Sequence, residues 1–219
     1  MTVQAIRTTS RNHMKRLIVA PHMDDESMGC GGLLAKYPQE CVVVVTARGN
    51  ETRRREFQAA MSTLGITEVI ELNLPDGSVG EHMADLVGEL DRVCRDVRPD
   101  ELYLPFPSLH QDHISAYEAG MRTSRLSMSH DHWSTPSVYV YDVAVYDVSL
   151  YPSDLRWNVF EPLTETDAEL KAEACRCYES ETPGDSHPIN AIKELAAAVG
   201  KVRGLPFAEQ YALVRHVRS

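Results

Sequence analysis

The sequence predicts an α/β protein built on a mainly parallel sheet. Three observations carry this. Residues 41–46 contain four consecutive valines, a run with no polar face, which suits a strand covered on both sides. Short apolar runs alternate along the chain with segments whose apolar residues recur at helical spacing, the order of a parallel sheet with helical crossovers. Two charged clusters each follow directly on an apolar run, and ligands gather at the carboxyl ends of strands in open α/β sheets.

Leu17-Ile18-Val19-Ala20 gives the first strand, over residues 15–20. The charged stretch Pro21-His22-Met23-Asp24-Asp25-Glu26 follows at once. Residues 28–36 suit a helix in which Gly29, Gly31 and Gly32 permit close packing or the close approach of a ligand. After the valine strand, Asn50 is placed to cap a helix. Phe57, Ala60, Met61 and Leu64 recur at helical spacing, and Gly65 closes that helix. Arg53 lies one turn before Phe57 on the same inward stripe, so it should face the carboxyl edge of the strands rather than bulk water.

Residues 68–72 make a third strand and Pro75-Asp76-Gly77 a turn. Val79, Met83, Leu86, Leu90, Val93 and Val97 form the apolar stripe of a helix stopped before Pro99. Residues 101–106 are a fourth strand, and the loop after it carries His110-Gln111-Asp112-His113. Residues 113–128 suit a helix, and 138–145, β-branched and aromatic, a strand. Helices are expected over 164–178 and 189–202, with a short one beginning near Pro206. No internal repeat is present.

No Pro/Gly/Ser-rich linker divides the chain, so residues 15–219 are expected to form a single domain, with residues 1–14 a tail or extension. The net charge of −10 excludes a nucleic-acid-binding surface, and Arg53-Arg54-Arg55 is too short a basic run to restore one. No apolar run reaches the length of a membrane span, and residues 1–16 lack the apolar region of a signal peptide. The five cysteines are scattered and odd in number, as for reduced thiols in a cytoplasmic protein. Cys175 and Cys177 lack the second pair that a structural zinc site requires.

The two charged clusters read together as one metal site. His22 and Asp25 are three residues apart, as are His110 and His113, so each pair faces one way on a turn or first helical turn. Two imidazoles and a carboxylate leave coordination positions open, as catalytic rather than structural metals require. Zn²⁺ suits these donors, and Fe²⁺ or another divalent ion accepts them. A bound metal lowers the pKa of its water to about 7. Hydrolysis then needs a base beside that water and a donor for the oxyanion, roles open to the carboxylates and histidine not used as ligands. Singly, the acidic residues would do no more than complement a helix dipole, worth about 0.3–1 kcal/mol, and His110 would be an ordinary loop residue. Their recurrence after matched strands favours the metal. A nucleotide-binding loop is excluded because Leu34 stands where G-x-G-x-x-G needs glycine and no P-loop occurs. No G-x-S-x-G of a serine hydrolase occurs either.

These motifs resemble those of the PIG-L/LmbE-like metal-dependent deacetylases, P-H-P-D-D-E after the first strand and H-x-D-H later. Gly29-Cys30-Gly31-Gly32, Arg53-x-x-Glu56 with Leu64-Gly65, Leu74-Pro75-Asp76-Gly77, and Lys171 through Tyr178 to Ser180 are similar to further family segments. The resemblance implies a Rossmann-like three-layer sandwich and hydrolysis of an N-acetyl group, usually on an amino sugar of a small molecule or glycoconjugate. It implies Zn²⁺ held by His22, Asp25 and His113, Asp24 as general base, and His110 stabilising the oxyanion. Asp112 would orient a histidine, Arg53 and Asp76 would contact substrate, and Glu26 would hold the motif loop. Met23 stands where the family has proline, and Ser108 where some members have an assisting tyrosine; Tyr103, Tyr141 and Tyr146 are the alternatives, and the sequence selects none.

Two other functions use the same residues: a deacylase of a non-sugar N-acyl compound, and a silent sugar-binding module. Specificity is expected in residues 74–79, 128–136 and 151–162, with His130-Asp131-His132-Trp133 as a possible rim. Oligomeric state is not legible in the sequence.

Overall fold

The apolar runs become the centre of a seven-stranded sheet. The computed structural model describes residues 14–143, 153–181 and 188–218; the expected tail, apart from Met14, lies outside them. In chain order the elements are β1 (Arg16–Ala20), α1 (Asp25–Lys36), β2 (Cys41–Ala47), α2 (Glu51–Leu64), β3 (Glu68–Leu74), α3 (Met83–Val97) and β4 (Glu101–Pro105). Then come α4 (Gln111–Thr123), β5 (Ser137–Tyr141), β6 (Trp157–Leu163), α5 (Glu165–Arg176), α6 (Ile192–Lys201) and β7 (Phe207–His216). The strand order is β3-β2-β1-β4-β5-β7-β6. The first five strands in that order pair in parallel, and β7 runs antiparallel to both its neighbours.

Alternation within the buried strands supplies two cores. Leu17 and Val19, Val42 and Val44, and Leu102 and Leu104 face α3 and α4. Ile18 and Ala20, Val43 and Val45, and Tyr103 face α1, α2 and the end of α5. Each such side chain gains about 1.5–3 kcal/mol on leaving water, which is why these strands read as unbroken apolar runs. Ile192 of α6 joins the second layer against Met28 and Cys175. The result is a three-layer sandwich with helices on both faces.

The caps fall where expected. Asn50 accepts a hydrogen bond from the Arg53 N–H, and Gly65 ends α2 at φ 73°. Thr164 and Asp167 form a reciprocal capping box on α5. The glycines of α1 serve packing rather than a ligand. A Cβ at Gly29 would lie 2.1 Å from the Tyr141 ring, and one at Gly32 would lie 2.4 Å from Leu163.

The C-terminal part departs from expectation. The helix expected near Pro206 is the ten-residue strand β7, and β6 has no counterpart in the sequence reading. In β7 the buried residues come as pairs, Ala208-Glu209 and Tyr211-Ala212, so neither alternation nor an apolar run marks it. Its one charge in the interior has a structural purpose. Glu209 accepts from the Gly32 and Leu33 N–H groups at 2.7 and 2.8 Å, from Tyr211 Oη at 2.7 Å and from Lys171 Nζ at 2.6 Å. β5 ends at Tyr141, and residues 144–145 of the expected strand lie outside the described residues. The helix expected from residue 79 begins as a short 3-10 turn, Val79–His82, before α3.

Lys171→Met is expected to lower the unfolding free energy by about 3 kcal/mol, because it strands a buried carboxylate without its counter-charge. Chemical denaturation followed by circular dichroism measures it.

Candidate metal centre

Strand order locates the site. From β1 the chain proceeds to β2 and β3 on one side, and from β4 to β5 on the other, so β1 and β4 flank the point where the sheet's winding reverses. A crevice opens there beyond the carboxyl ends of the strands. Residues 21–24 leave β1 into it, and residues 106–110 leave β4 into it. Asp25 and Glu26 form the first turn of α1, while Asp112 and His113 lie in the first turn of α4. The acidic residues of both first turns thus sit at the positive ends of helix dipoles.

Asp25 is the meeting point. Its Oδ2 lies 3.3 Å from His22 Nδ1 and 3.3 Å from His113 Nε2, and accepts the His22 backbone N–H at 2.9 Å. A separation of 3.3 Å is close to the donor–donor edge of a tetrahedral ion with bonds of about 2.0–2.1 Å. Donor atoms of His22, His110 and His113 also lie within 4.8 Å of one another, as do those of His22, Asp76 and Asp112.

The second nitrogen of His22 faces carboxylates. His22 Nε2 lies 3.3 Å from Asp112 Oδ2 and 3.5 Å from Asp76 Oδ1. Asp112 is fully buried and also accepts the Gly77 N–H at 2.7 Å and the Val79 N–H at 3.1 Å. The histidine that the Asp112 carboxylate contacts is therefore His22, across the chain, rather than its neighbours in the motif. An imidazole gripped by a carboxylate on one nitrogen and turned to a shared centre on the other is the usual support of a metal ligand. His113 Nδ1 is buried with no hydrogen-bond partner among the described residues. A cation at Nε2 would fix the tautomer that the protein leaves open. The donors of His22, His110 and His113 are spaced to take a divalent ion, and Asp25 Oδ2 lies against two of those rings.

Electrostatics agrees with a cation-seeking centre. Burial works to raise the Asp25 carboxyl, yet His113 and His22 hold it well below the usual carboxylate range. Burial works to lower His22, but its bond to Asp25 prevails and pushes it up to about 9. The proton and a metal compete for the same nitrogen. Asp24 is raised well above the carboxylate range by burial and then by Asp25, with Arg53 opposing. His110 is lowered by burial and then by His22 and His113. Its Nδ1 accepts the Asp112 N–H at 3.2 Å, which places the ring proton on Nε2.

Every sequence-predicted site residue is found here. His22, Asp24, Asp25, Arg53, Asp76, His110 and His113 all line one cavity of about 680 Å³, and Asp112 supports it from behind. Arg53 faces inward as expected, but its guanidinium is already engaged. Nη1 donates to Asp24 Oδ2 at 3.1 Å and to Met23 O at 3.2 Å, while Nη2 pairs with Glu181. Asp76, 68% exposed, stands at the rim beside His22. Glu26 holds the loop, its Oε2 accepting the Asp24 N–H at 3.1 Å. Met23, at the proline position, is anchored by burial in the core.

Three expectations change. Tyr103 and Tyr141 are not assisting acids: the first donates to Glu101 Oε2 and the second to Val19 O, both inside the core. Tyr146 lies outside the described residues. The 130–133 loop is no rim, since Trp133 Nε1 donates to Pro99 O just before β4, at the opposite end of the sheet. Of residues 151–162, positions 151–152 lie outside the described residues, and the described remainder does not line the cavity. Sequence reasoning missed Glu181, which no periodicity marks, and the hydroxyl of Tyr178, whose motif was noticed without its partner.

An α/β sheet of this order, with an imidazole–carboxylate centre at its switch point, defines an LmbE-like fold. Residues 17–124 match the PIG-L family, described as GlcNAc-PI de-N-acetylase. It is 25% identical over 151 residues to the uncharacterized deacetylase YaiS of Escherichia coli, covering 62% of this chain and 82% of that protein. The conserved protein TT1542 of Thermus thermophilus shares the fold, with a TM-score of 0.74 and 22% identity over 94% of this chain and 97% of that one. N,N'-diacetylchitobiose deacetylase of Pyrococcus horikoshii does so with a TM-score of 0.69 and 20% identity over 93% and 84%. Among the described residues no helix is long and apolar enough to cross a membrane.

Proposed function

We propose that this protein is a metal-dependent N-deacetylase that hydrolyses the N-acetyl group of an amino sugar in a small molecule or glycoconjugate. The observation that carries the reading is the convergence of His22 Nδ1 and His113 Nε2 on Asp25 Oδ2, each at 3.3 Å, in a cavity that Asp24 and His110 also line. His22, Asp25 and His113 would hold Zn²⁺, which when bound supplies a water acidic enough to be deprotonated near neutrality.

The remaining roles follow from the side chains. Asp24 takes the proton of the attacking water and passes it to the leaving nitrogen. The water oxygen bonds to the carbonyl carbon, the C–N bond breaks, and acetate and a free amine leave. His110 donates from Nε2–H to the oxyanion. Asp112 keeps the His22 ring in place. Asp76 and the Arg53 arm now on Glu181 face the mouth, where sugar hydroxyls would sit. A cavity of this size suits a small ligand, and the diacetylchitobiose deacetylase with the same fold acts on an acetylated amino sugar.

The test is metal analysis coupled to acetate release from N-acetylglucosamine and N,N'-diacetylchitobiose. About one zinc per chain is expected, with acetate released from at least one of the two. Absence of both metal and acetate would overturn the reading.

A further inference from the structure

Asp24 sits where its backbone resists being. Its φ of 157° with ψ −30° is a conformation that side-chain-bearing residues rarely adopt. Such a residue stays in place only when its surroundings over-determine it. Backbone bonds take part, with the Asp24 N–H donating to His22 O at 3.2 Å and the Ser27 and Met28 N–H groups donating to Asp24 O at 3.0 and 2.9 Å, and two side chains add to them. Arg53 grips the carboxylate, and Glu26 Oε2 accepts the backbone N–H at 3.1 Å.

Glu26 has no exposed surface, and among the described residues its hydrogen-bond partners include no cation. Its other oxygen, Oε1, accepts the Tyr178 hydroxyl at 2.6 Å and the Ser27 hydroxyl at 2.7 Å. Ser27 is its chain neighbour and moves with it. Tyr178 is the outside anchor, fully buried and 152 residues away in sequence. The turn after it is fastened in turn: Ser180 donates from N and Oγ to Glu56 of α2 at 2.8 and 2.7 Å, and Glu181 pairs with Arg53. The Arg53 guanidinium also lies 5.7 Å from the Tyr178 ring centre. One short segment, residues 178–181, thus reaches both side chains that restrain Asp24.

We propose that Tyr178 is a positioning residue for the general base, holding the Glu26 carboxylate in the orientation that fixes Asp24. This rests on the base assignment above. Tyr178→Phe removes one hydroxyl and keeps the ring, so β1 and the core stay intact while Glu26 turns more freely. Glu26→Gln is the second variant. Its amide oxygen can accept the Asp24 N–H while its amide nitrogen donates to the Tyr178 hydroxyl oxygen, so this variant should keep the anchor that Tyr178→Phe removes.

The experiment has two arms on the zinc-loaded protein. In hydrogen exchange, Tyr178→Phe is expected to speed the amides of residues 22–28 about tenfold, the scale of one lost hydrogen bond, with β1 unchanged. In acetate release from N-acetylglucosamine or N,N'-diacetylchitobiose, kcat is expected to fall about tenfold with KM within about twofold, as for a misplaced reacting group. A double-mutant cycle with Asp24→Asn separates positioning from general damage: Tyr178→Phe should cost almost nothing further once the base is gone. Unchanged exchange in residues 22–28 would overturn the inference, as would an undiminished kcat loss in the Asp24→Asn background. Full activity in Asp24→Asn itself would remove the base assignment, and the inference with it. If the wild type releases no acetate from either sugar, the proposed function falls and exchange alone decides, a loosened loop sustaining the anchor and a rigid one refuting it.

Discussion

Replacing His113 with alanine is expected to abolish metal binding and hydrolysis together. Zinc content should drop from about one per chain to near zero, because Asp25 keeps a single imidazole partner and a two-donor site cannot hold the ion. Activity should fall to background, since without the ion the water returns from a pKa of about 7 to one near 15.7. Metal analysis and acetate release on the same preparation read both effects, and circular dichroism reports that the fold survives. His110 is the informative companion. Its ring lies 5.4 Å from that of His113, and its donor atoms are as near to His22. Its Nδ1 is committed to the Asp112 N–H, so His110→Ala should keep the metal while lowering turnover. If the two results were exchanged, His110 rather than His113 would be the ligand.

The centre of the fold was legible because its strands are buried on both faces and leave no polar alternation to misread. Ala20 and Pro105 end two such strands, and a charged cluster begins within a few residues of each. That is enough to place both clusters at one edge of a parallel sheet. Arg53 was legible for the same reason, as a charge on an apolar stripe at the start of a helix. The edge beyond β5 was not. β7 carries Glu209 into the interior because α1 offers it two backbone N–H groups and α5 offers it Lys171, partners distant in sequence. Position alone could not reveal that Asp112 serves His22, because that contact depends on how α4 meets the turn at Gly77. The 130–133 loop looked functional by composition, yet its tryptophan closes the far end of the sheet. Side-chain chemistry marks where a site lies, whereas pairings across the chain are set by packing.

Asp24→Asn should separate binding from chemistry. The substitution is nearly isosteric, and its amide oxygen still accepts from Arg53 Nη1. Asp24 spends its carboxylate on Arg53 rather than on the His22–Asp25–His113 centre, so zinc content should be unchanged. What disappears is the group that receives the water's proton. Loss of a general base costs about 10²–10⁴ in rate, and the upper end is expected because the described cavity offers no well-placed substitute. His110 Nδ1 is already an acceptor for a backbone N–H, and Asp76 stands at the rim, two-thirds exposed. Single-turnover acetate release with zinc measured in parallel is the deciding measurement. Full turnover with full zinc would move the base to Asp76. Loss of zinc along with activity would mean that Asp24 belongs to the metal's own shell, so that the Arg53 contact is exchanged for the ion on loading.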